Sequence, residues 1–108
     1  MTIAYSKVTT KAQTVIPREV RTRLGLKAGD RLMVVDSVYG PVRRFADNVM
    51  KRFGIEVAYF DPALGPDALA ALMTPNTRAL YLESPGSLTF EMLDIARLSA
   101  VARERGVT

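Results

Sequence analysis

The sequence predicts an α/β fold in which an N-terminal β-hairpin and short helix are joined to a three-stranded, mainly parallel α/β segment. From residue 31 onward, short apolar runs alternate with helical apolar patterns, an order typical of parallel strands joined by crossover helices. Before residue 31, two short β-rich runs precede a brief helical pattern. We therefore expect two segments, 1–35 and 36–108, which share the strand beginning at Arg31.

Composition limits the classes of function. The chain has 108 residues, enough for one domain with a modest core, and no apolar run of the length that a membrane span needs. We therefore expect a cytoplasmic protein without membrane partners. Because the sequence contains neither cysteine nor histidine, it excludes disulfides, thiol nucleophiles, histidine-assisted catalysis and the usual zinc ligands. No metal site is expected.

Charge is distributed unevenly along the chain. Residues 1–35 contain seven basic and two acidic side chains, whereas residues 36–108 contain eight basic and nine acidic ones. A basic segment joined to a nearly neutral one suggests that any polyanionic partner binds the first third. Ordinary solvated surface charge is the alternative explanation.

The first third is predicted to contain two strands and one helix. Pro17 suits the first turn of a helix and Gly25 suits its C-terminal cap. Val20 and Leu24 lie four residues apart, on one face of that helix. The predicted elements are the strands Tyr5–Thr10 and Thr14–Ile16, the helix Arg18–Leu24, the turn Lys27–Asp30 and the strand Arg31–Val35.

Two runs in this region, KVTTKAQTVIPREVR at 7–21 and LGLKAGD at 24–30, resemble the AbrB/MazE/SpoVT family of swapped-hairpin dimers. The resemblance implies a DNA-binding transcription regulator or antitoxin that forms a homodimer through its hairpin, with DNA as a partner and a toxin as a candidate partner. Residues 36–41, DSVYGP, do not read as the further strand that this family adds. The DNA-contacting positions implied by the resemblance are Lys7, Lys11, Gln13, Arg18, Arg21 and Arg23.

The remaining two thirds are predicted to alternate helices and strands. Pro41 begins a helix with apolar residues at Val42, Phe45, Ala46, Val49, Met50 and Phe53, and Gly54 ends it. Val107 and Thr108 could begin a fourth strand. The other predicted elements are the strand Ile55–Phe60, the helix Asp67–Met73, the strand Ala79–Leu82 and the helix Glu91–Arg105.

Polar segments follow the three predicted strands, at residues 36–40, 61–62 and 83–87. In an open parallel sheet, ligands bind beyond the carboxyl ends of the strands. These segments are therefore a candidate binding site. The alternative is that they are ordinary turn residues, which are expected wherever a strand ends.

Four runs of the second segment, VDSVYGP at 35–41, YFDP at 59–62, PNTR at 75–78 and YLESPGSLT at 81–89, resemble the cystathionine β-lyases of the Cys/Met-metabolism family of pyridoxal-phosphate enzymes. The resemblance implies that Tyr39 stacks on the pyridine ring and that Ser87 lies near it. It also implies that the lysine holding the cofactor and the aspartate pairing with the ring nitrogen lie beyond Thr108. We therefore expect no catalytic residue, no enzymatic activity and no cofactor beyond weak, vestigial binding of pyridoxal phosphate.

Three hypotheses about function follow. The first is a DNA-binding protein of AbrB/MazE type that carries a catalytically incomplete α/β segment. The second is a truncated, inactive fragment of a pyridoxal-phosphate-dependent lyase. The third is an inactive recombinant chimera joined within residues 26–35, where both sequence patterns are satisfied.

Overall fold

The computed structural model describes residues 26–108. The predicted N-terminal strands and the helix that ends at Leu24 lie outside these residues. The described chain contains β1 (Arg31–Val35), α1 (Gly40–Phe45) continued by a π-helix (Ala46–Met50), β2 (Glu56–Phe60), α2 (Pro66–Leu72), β3 (Thr77–Tyr81) and α3 (Ile95–Glu104).

The three strands form one parallel sheet in the order β2-β1-β3, which confirms the predicted parallel arrangement. β1 lies in the centre, with Val34 opposite Tyr59 on one side and Tyr81 on the other. Its sequence, RLMVV, is almost entirely apolar, and Val35 has no exposed surface. A strand with neighbours on both edges and other elements on both faces needs such a continuous apolar run.

The predicted turn Lys27–Asp30 connects the amino ends of the strands. Asp30 donates its N–H to the Lys27 carbonyl at 3.0 Å, and its carboxylate accepts the Lys27 N–H at 2.9 Å. The Asp30 carbonyl accepts the N–H of Glu56 at 2.9 Å, and its carboxylate lies 3.6 Å from Nε of Arg78. Asp30 is only 4% exposed, so this buried carboxylate is balanced by hydrogen bonds and a cation.

The helix after β1 differs from the sequence prediction. An α-helical segment, Gly40–Phe45, passes into the π-helix Ala46–Met50, and Ile55 donates its N–H to the Met50 carbonyl five residues back, at 3.2 Å. A π-helix has wider turns than an α-helix, so apolar positions beyond it no longer keep the α-helical spacing. Phe53, predicted to lie on the apolar face, is consequently 54% exposed.

The last helix begins later than predicted, at Ile95 instead of Glu91. Its start is set by Asp94, whose side chain accepts the N–H of Arg97 at 3.1 Å. The residues between β3 and α3 are irregular, and Leu88 and Phe90 have positive φ angles of 64° and 58°. Apolar spacing alone does not reveal this irregular segment.

The main core lies where α2 and α3 pack near the central strand. Leu69 of α2 and Leu98 of α3 join Met33, Val35 and Phe60 in one cluster of buried side chains. Burial of these apolar surfaces is the main stabilising contribution to such a layered fold.

Thr108 pairs with the outer edge of β3. Its N–H donates to the Arg78 carbonyl at 3.0 Å, and its carbonyl accepts the Leu80 N–H at 2.8 Å. Alternating bonds of this kind are typical of parallel pairing, in agreement with the predicted start of a fourth strand. Within residues 26–108, no helix has the length and apolar character required to cross a membrane.

Candidate functional site

All three strands end at one edge of the sheet because they run in parallel. Open parallel sheets bind ligands beyond this edge. Residues 36–40, 61–62 and 83–87 follow the strands there, and we call them together the carboxyl edge. Tyr39 and Ser87, the two residues predicted to lie near a cofactor ring, both belong to the carboxyl edge.

Tyr39 is fixed at the carboxyl edge through its backbone. Its N–H donates a hydrogen bond of 3.2 Å to Oε1 of Glu83, in the segment after β3. Its carbonyl accepts the N–H of Val42 at 2.9 Å in the first turn of α1. The Tyr39 side chain is 57% exposed. Hydrogen bonds therefore fix the backbone of Tyr39, while its aromatic ring remains accessible.

Glu83 connects the end of β3 to the start of α1. Besides accepting the Tyr39 N–H, its carboxylate lies 3.5 Å from the hydroxyl of Tyr81. Burial raises the pKa of Tyr81, and the negative charge of Glu83 raises it further. Sequence inspection places Glu83 at a strand end but does not identify its partner, because Tyr39 is 44 residues away.

Beside this connection, the loop that follows β3 passes close to the loop that follows β1. The N–H of Ser87 donates to the Ser37 carbonyl at 2.9 Å. A Cβ atom on Gly86 would lie 3.0 Å from the Ser37 Cβ and 2.5 Å from Oγ1 of Thr89. Glycine at position 86 therefore allows the segment after β3 to reach the segment after β1. Ser37 is 7% exposed, and its hydroxyl has no hydrogen-bond partner among the described residues.

A second polar network supports the carboxyl edge from the side of β2. The Arg43 guanidinium forms an ion pair with the Asp36 carboxylate and donates to the Asp36 carbonyl at 2.9 Å. It also lies over the Tyr59 ring, 4.0 Å from the centroid. The Tyr59 hydroxyl donates to Asp47 at 2.6 Å. These contacts connect the end of β1 to α1 and β2.

The network shifts two pKa values. The hydrogen bond to the Asp36 carboxylate raises the pKa of Arg43 above its ordinary value. Burial and the hydrogen bond to Asp47 raise the pKa of Tyr59 to about 12. Both side chains therefore keep one protonation state through the neutral pH range, which suits a structural role more than proton transfer.

The predicted DNA-contacting residues lie in a different part of the chain. None of them belongs to residues 26–108, so the structure does not describe their positions. They are Lys7, Lys11, Gln13, Arg18, Arg21 and Arg23.

Comparison with known proteins identifies one family. Residues 18–108 match the model of the Cys/Met metabolism PLP-dependent enzymes. A putative cystathionine β-lyase of Rhizobium johnstonii is 51% identical over 79 residues, which are 73% of this chain and 20% of that protein. The cystathionine β-lyase of Bordetella avium is 43% identical over 79 residues, 73% of this chain and 19% of that enzyme.

Solved structures agree with the sequence comparison. A structure of O-acetylhomoserine sulfhydrylase from Wolinella succinogenes superposes with a TM-score of 0.69 and 26% identity, covering 75% of this chain and 23% of that one. The chain thus spans about a fifth of the length of the curated relatives reported above.

These matches overturn the DNA-binding interpretation. The family match begins at Arg18 and continues through Arg21, Arg23 and the segment 26–35, where the resemblance to AbrB/MazE/SpoVT proteins was expected to dominate. The description as a regulator or antitoxin was therefore wrong. The short motif before residue 31 was a weaker signal than a match extending over most of the chain. Homodimerisation and a toxin partner remain untested predictions.

The expectation about the cofactor is corrected as well. The matched family is dependent on pyridoxal phosphate, and its members named above are enzymes. The expectation of no cofactor beyond weak, vestigial binding of pyridoxal phosphate was therefore wrong at the level of the family. The roles of Tyr39 and Ser87 near the ring remain predictions.

Gly86→Ala is expected to destabilise the chain by about 1–3 kcal/mol, because the added methyl group overpacks the contact with Ser37 and Thr89. Urea unfolding of the 108-residue chain measures the effect. Gly65→Ala is the matched control, since a Cβ there meets no atom within 4 Å and φ is −75°. Equal stabilities of the two variants would contradict the close approach.

Asp47→Asn is expected to lower the pKa of Tyr59 from about 12 toward 10, because it removes the charged acceptor that favours the neutral phenol. A pH titration of tyrosinate absorbance measures this change, and Tyr59→Phe assigns the transition among the four tyrosines. Asp67→Asn, an exposed change in α2, is the control.

The same shift predicts how stability depends on pH. The folded state favours the protonated phenol of Tyr59, so this contribution is complete below pH 10.0 and is lost as the pH rises to about 12. Tyr59→Phe should remove that part of the alkaline loss of stability. An unchanged alkaline stability profile in Tyr59→Phe would contradict this assignment.

Proposed function

Because the chain belongs to the Cys/Met metabolism family of PLP-dependent enzymes, we propose that its carboxyl edge forms one side of a pyridoxal-phosphate site. The proposed enzyme is of the cystathionine β-lyase type, which acts on a sulfur-containing amino acid. The two relatives with that activity in their names support this choice of substrate class. The observation that carries the proposal is the exposed ring of Tyr39 on a backbone fixed by Glu83.

The side chains at the carboxyl edge fit a planar ring with polar substituents. An accessible tyrosine ring provides an aromatic face for stacking. The buried Ser37 hydroxyl has no hydrogen-bond partner within residues 26–108, and a buried polar group of this kind is usually satisfied by a ligand or by water. Tyr39 would hold the ring by stacking, while Ser37 and Ser87 provide hydroxyl groups next to it.

Pyridoxal phosphate, when bound, supplies an electron sink for negative charge at the α-carbon of an amino acid. The side chains of this segment orient the cofactor. Glu83 holds the backbone of Tyr39, so the ring keeps its position relative to the sheet. The Asp36–Arg43 ion pair fixes the end of β1, from which Ser37 and Tyr39 follow.

The covalent attachment of the cofactor requires a lysine from outside residues 26–108. Lys27 lies in the turn before β1, and Lys51 follows the π-helix. Both precede strands and are exposed, so they lie toward the amino ends of the parallel strands, opposite the carboxyl edge. We therefore assign cofactor orientation, and not covalent catalysis, to the described segment.

Binding of 4′-deoxypyridoxine 5′-phosphate tests the proposal, because this analogue keeps the ring and phosphate but cannot bond covalently to amines. We expect saturable chemical-shift changes at Tyr39 and Ser87 in NMR spectra of the chain. Tyr39→Ala should weaken binding roughly tenfold, in keeping with the ~1.5 kcal/mol available from aromatic stacking.

Tyr39→Phe is the matched control and should bind the analogue as the unchanged chain does, because it keeps the aromatic face. Absence of any saturable change in the unchanged chain would count against the proposed cofactor site. Binding that survives Tyr39→Ala at full strength would remove Tyr39 from it. A third outcome, equal weakening by both substitutions, would assign the effect to the hydroxyl and contradict stacking.

A further inference from the structure

The Arg43 guanidinium contacts two elements besides its own helix. Its Nη2 atom forms the ion pair with the Asp36 carboxylate and also donates to the Asp36 carbonyl at 2.9 Å. Its Cζ atom lies 4.0 Å from the centroid of the Tyr59 ring. Arg43, in α1, thus joins the first residue after β1 to a side chain of β2.

The ring beneath the guanidinium is itself held in place. The Tyr59 hydroxyl donates to the Asp47 carboxylate at 2.6 Å and lies 3.4 Å from the Arg43 carbonyl. Asp47 belongs to the π-helix that continues α1, and π-helical turns occur frequently at functional sites. Tyr59 therefore gives the guanidinium a fixed surface on which to lie.

The two sides of Asp36 are held by different elements. Its N–H donates to the Phe60 carbonyl at 2.8 Å, so β2 holds the peptide bond before Asp36. Its carbonyl accepts from Arg43, so the side chain of α1 holds the peptide bond between Asp36 and Ser37. The orientation of this second peptide bond therefore depends on Arg43.

This peptide bond leads directly to the contact between the two loops. The Ser37 carbonyl accepts the Ser87 N–H at 2.9 Å. Ser37 is buried, and Gly86 approaches it so closely that a Cβ atom there would lie 3.0 Å from the Ser37 Cβ. A rotation of the Asp36–Ser37 peptide bond would therefore displace the carbonyl that holds Ser87.

We propose that Arg43 is a positioning residue of the cofactor site, which acts on Ser87 through the Asp36–Ser37 peptide bond. The inference rests on the proposed function, under which Ser87 lies next to the bound ring. Arg43 does not touch the cofactor in this arrangement. It keeps Ser87 at a fixed distance from Tyr39, which lies two residues after Ser37 in the same loop.

The arrangement requires an arginine, and a positive charge alone does not provide it. A planar guanidinium lies flat on an aromatic ring while its N–H groups bond to oxygen atoms beside it. A lysine ammonium can pair with the Asp36 carboxylate but has no plane to place on the Tyr59 ring. Arg44, the next residue, is exposed and carries the same charge, so it offers a matched control.

Hydrogen exchange of the Ser87 amide, measured by NMR without ligand, tests the connection in the 108-residue chain. Arg43→Met removes the charge and keeps a long apolar side chain, and Arg43→Lys keeps the charge. Relative to the Val34 amide, we expect exchange at Ser87 to be roughly fivefold faster in both variants, because local opening becomes easier. Arg44→Met and Arg44→Lys should leave this ratio unchanged.

Three results of the exchange measurement would overturn the proposal. Equal acceleration at Ser87 and Val34 would show a general loss of stability instead of a local effect. An unchanged ratio in Arg43→Met would show that Ser87 does not depend on Arg43. Full protection in Arg43→Lys would show that a charge is sufficient and that the contact with the Tyr59 ring is not needed.

Titration with 4′-deoxypyridoxine 5′-phosphate tests the effect on the site. Arg43→Met should weaken binding roughly threefold, with smaller ligand-induced shifts at Ser87 and unchanged shifts at Tyr39. Arg44→Met should bind the analogue as the unchanged chain does. A uniform loss of shifts at both residues would indicate a general structural effect and contradict positioning of Ser87.

The two arms distinguish failure of this inference from failure of the proposed function. If the unchanged chain does not bind the analogue, the cofactor site is wrong, and the positioning role in that site falls with it. If the unchanged chain and Arg43→Met bind the analogue equally well, the cofactor site stands and only the role of Arg43 is refuted.

Discussion

The parallel pairing of β1 on both edges is the interaction on which the described structure depends. Val34 lies between Tyr59 and Tyr81, and residues 33–35 are almost completely buried. A central strand satisfies its backbone donors and acceptors on both sides, which a buried segment requires. Because both neighbours run in the same direction as β1, the helices return each time to the amino ends, and the polar segments meet at the carboxyl ends. The candidate site thus results directly from the strand order.

Contacts between residues far apart in the sequence hold the loops of the carboxyl edge in fixed positions. The Glu83 carboxylate holds the backbone of Tyr39, and Gly86 lets the neighbouring loop approach Ser37. On the other side, Arg43 joins the end of β1 to Tyr59. Under the proposed function, this surface orients the bound ring, and a lysine outside residues 26–108 provides the covalent attachment.

Much of the fold could be predicted because it depends on local patterns. Apolar runs located the three strands, and the alternation with helices indicated parallel pairing. Tyr39 and Ser87 were placed at one edge through strand order and family resemblance. The π-helix could not be predicted, because the apolar residues up to Phe53 have the spacing of an ordinary α-helix in the sequence. In the structure Phe53 is nevertheless exposed. The hydrogen bond from the Tyr39 N–H to Glu83 could not be predicted either, because it depends on tertiary packing. The DNA-binding hypothesis was wrong because the short basic motif belongs in part to a stretch, residues 18–108, that matches a different family.

Native-state hydrogen exchange of the 108-residue chain tests the central role of β1 most directly. The amides of Leu32, Met33, Val34 and Val35 should exchange most slowly and only through global unfolding, since they lie in the middle strand. Amides in residues 84–94, which form no regular element, should exchange much faster through local opening. Exchange of the β1 amides at rates similar to those of residues 84–94 would contradict a sheet organised around this strand.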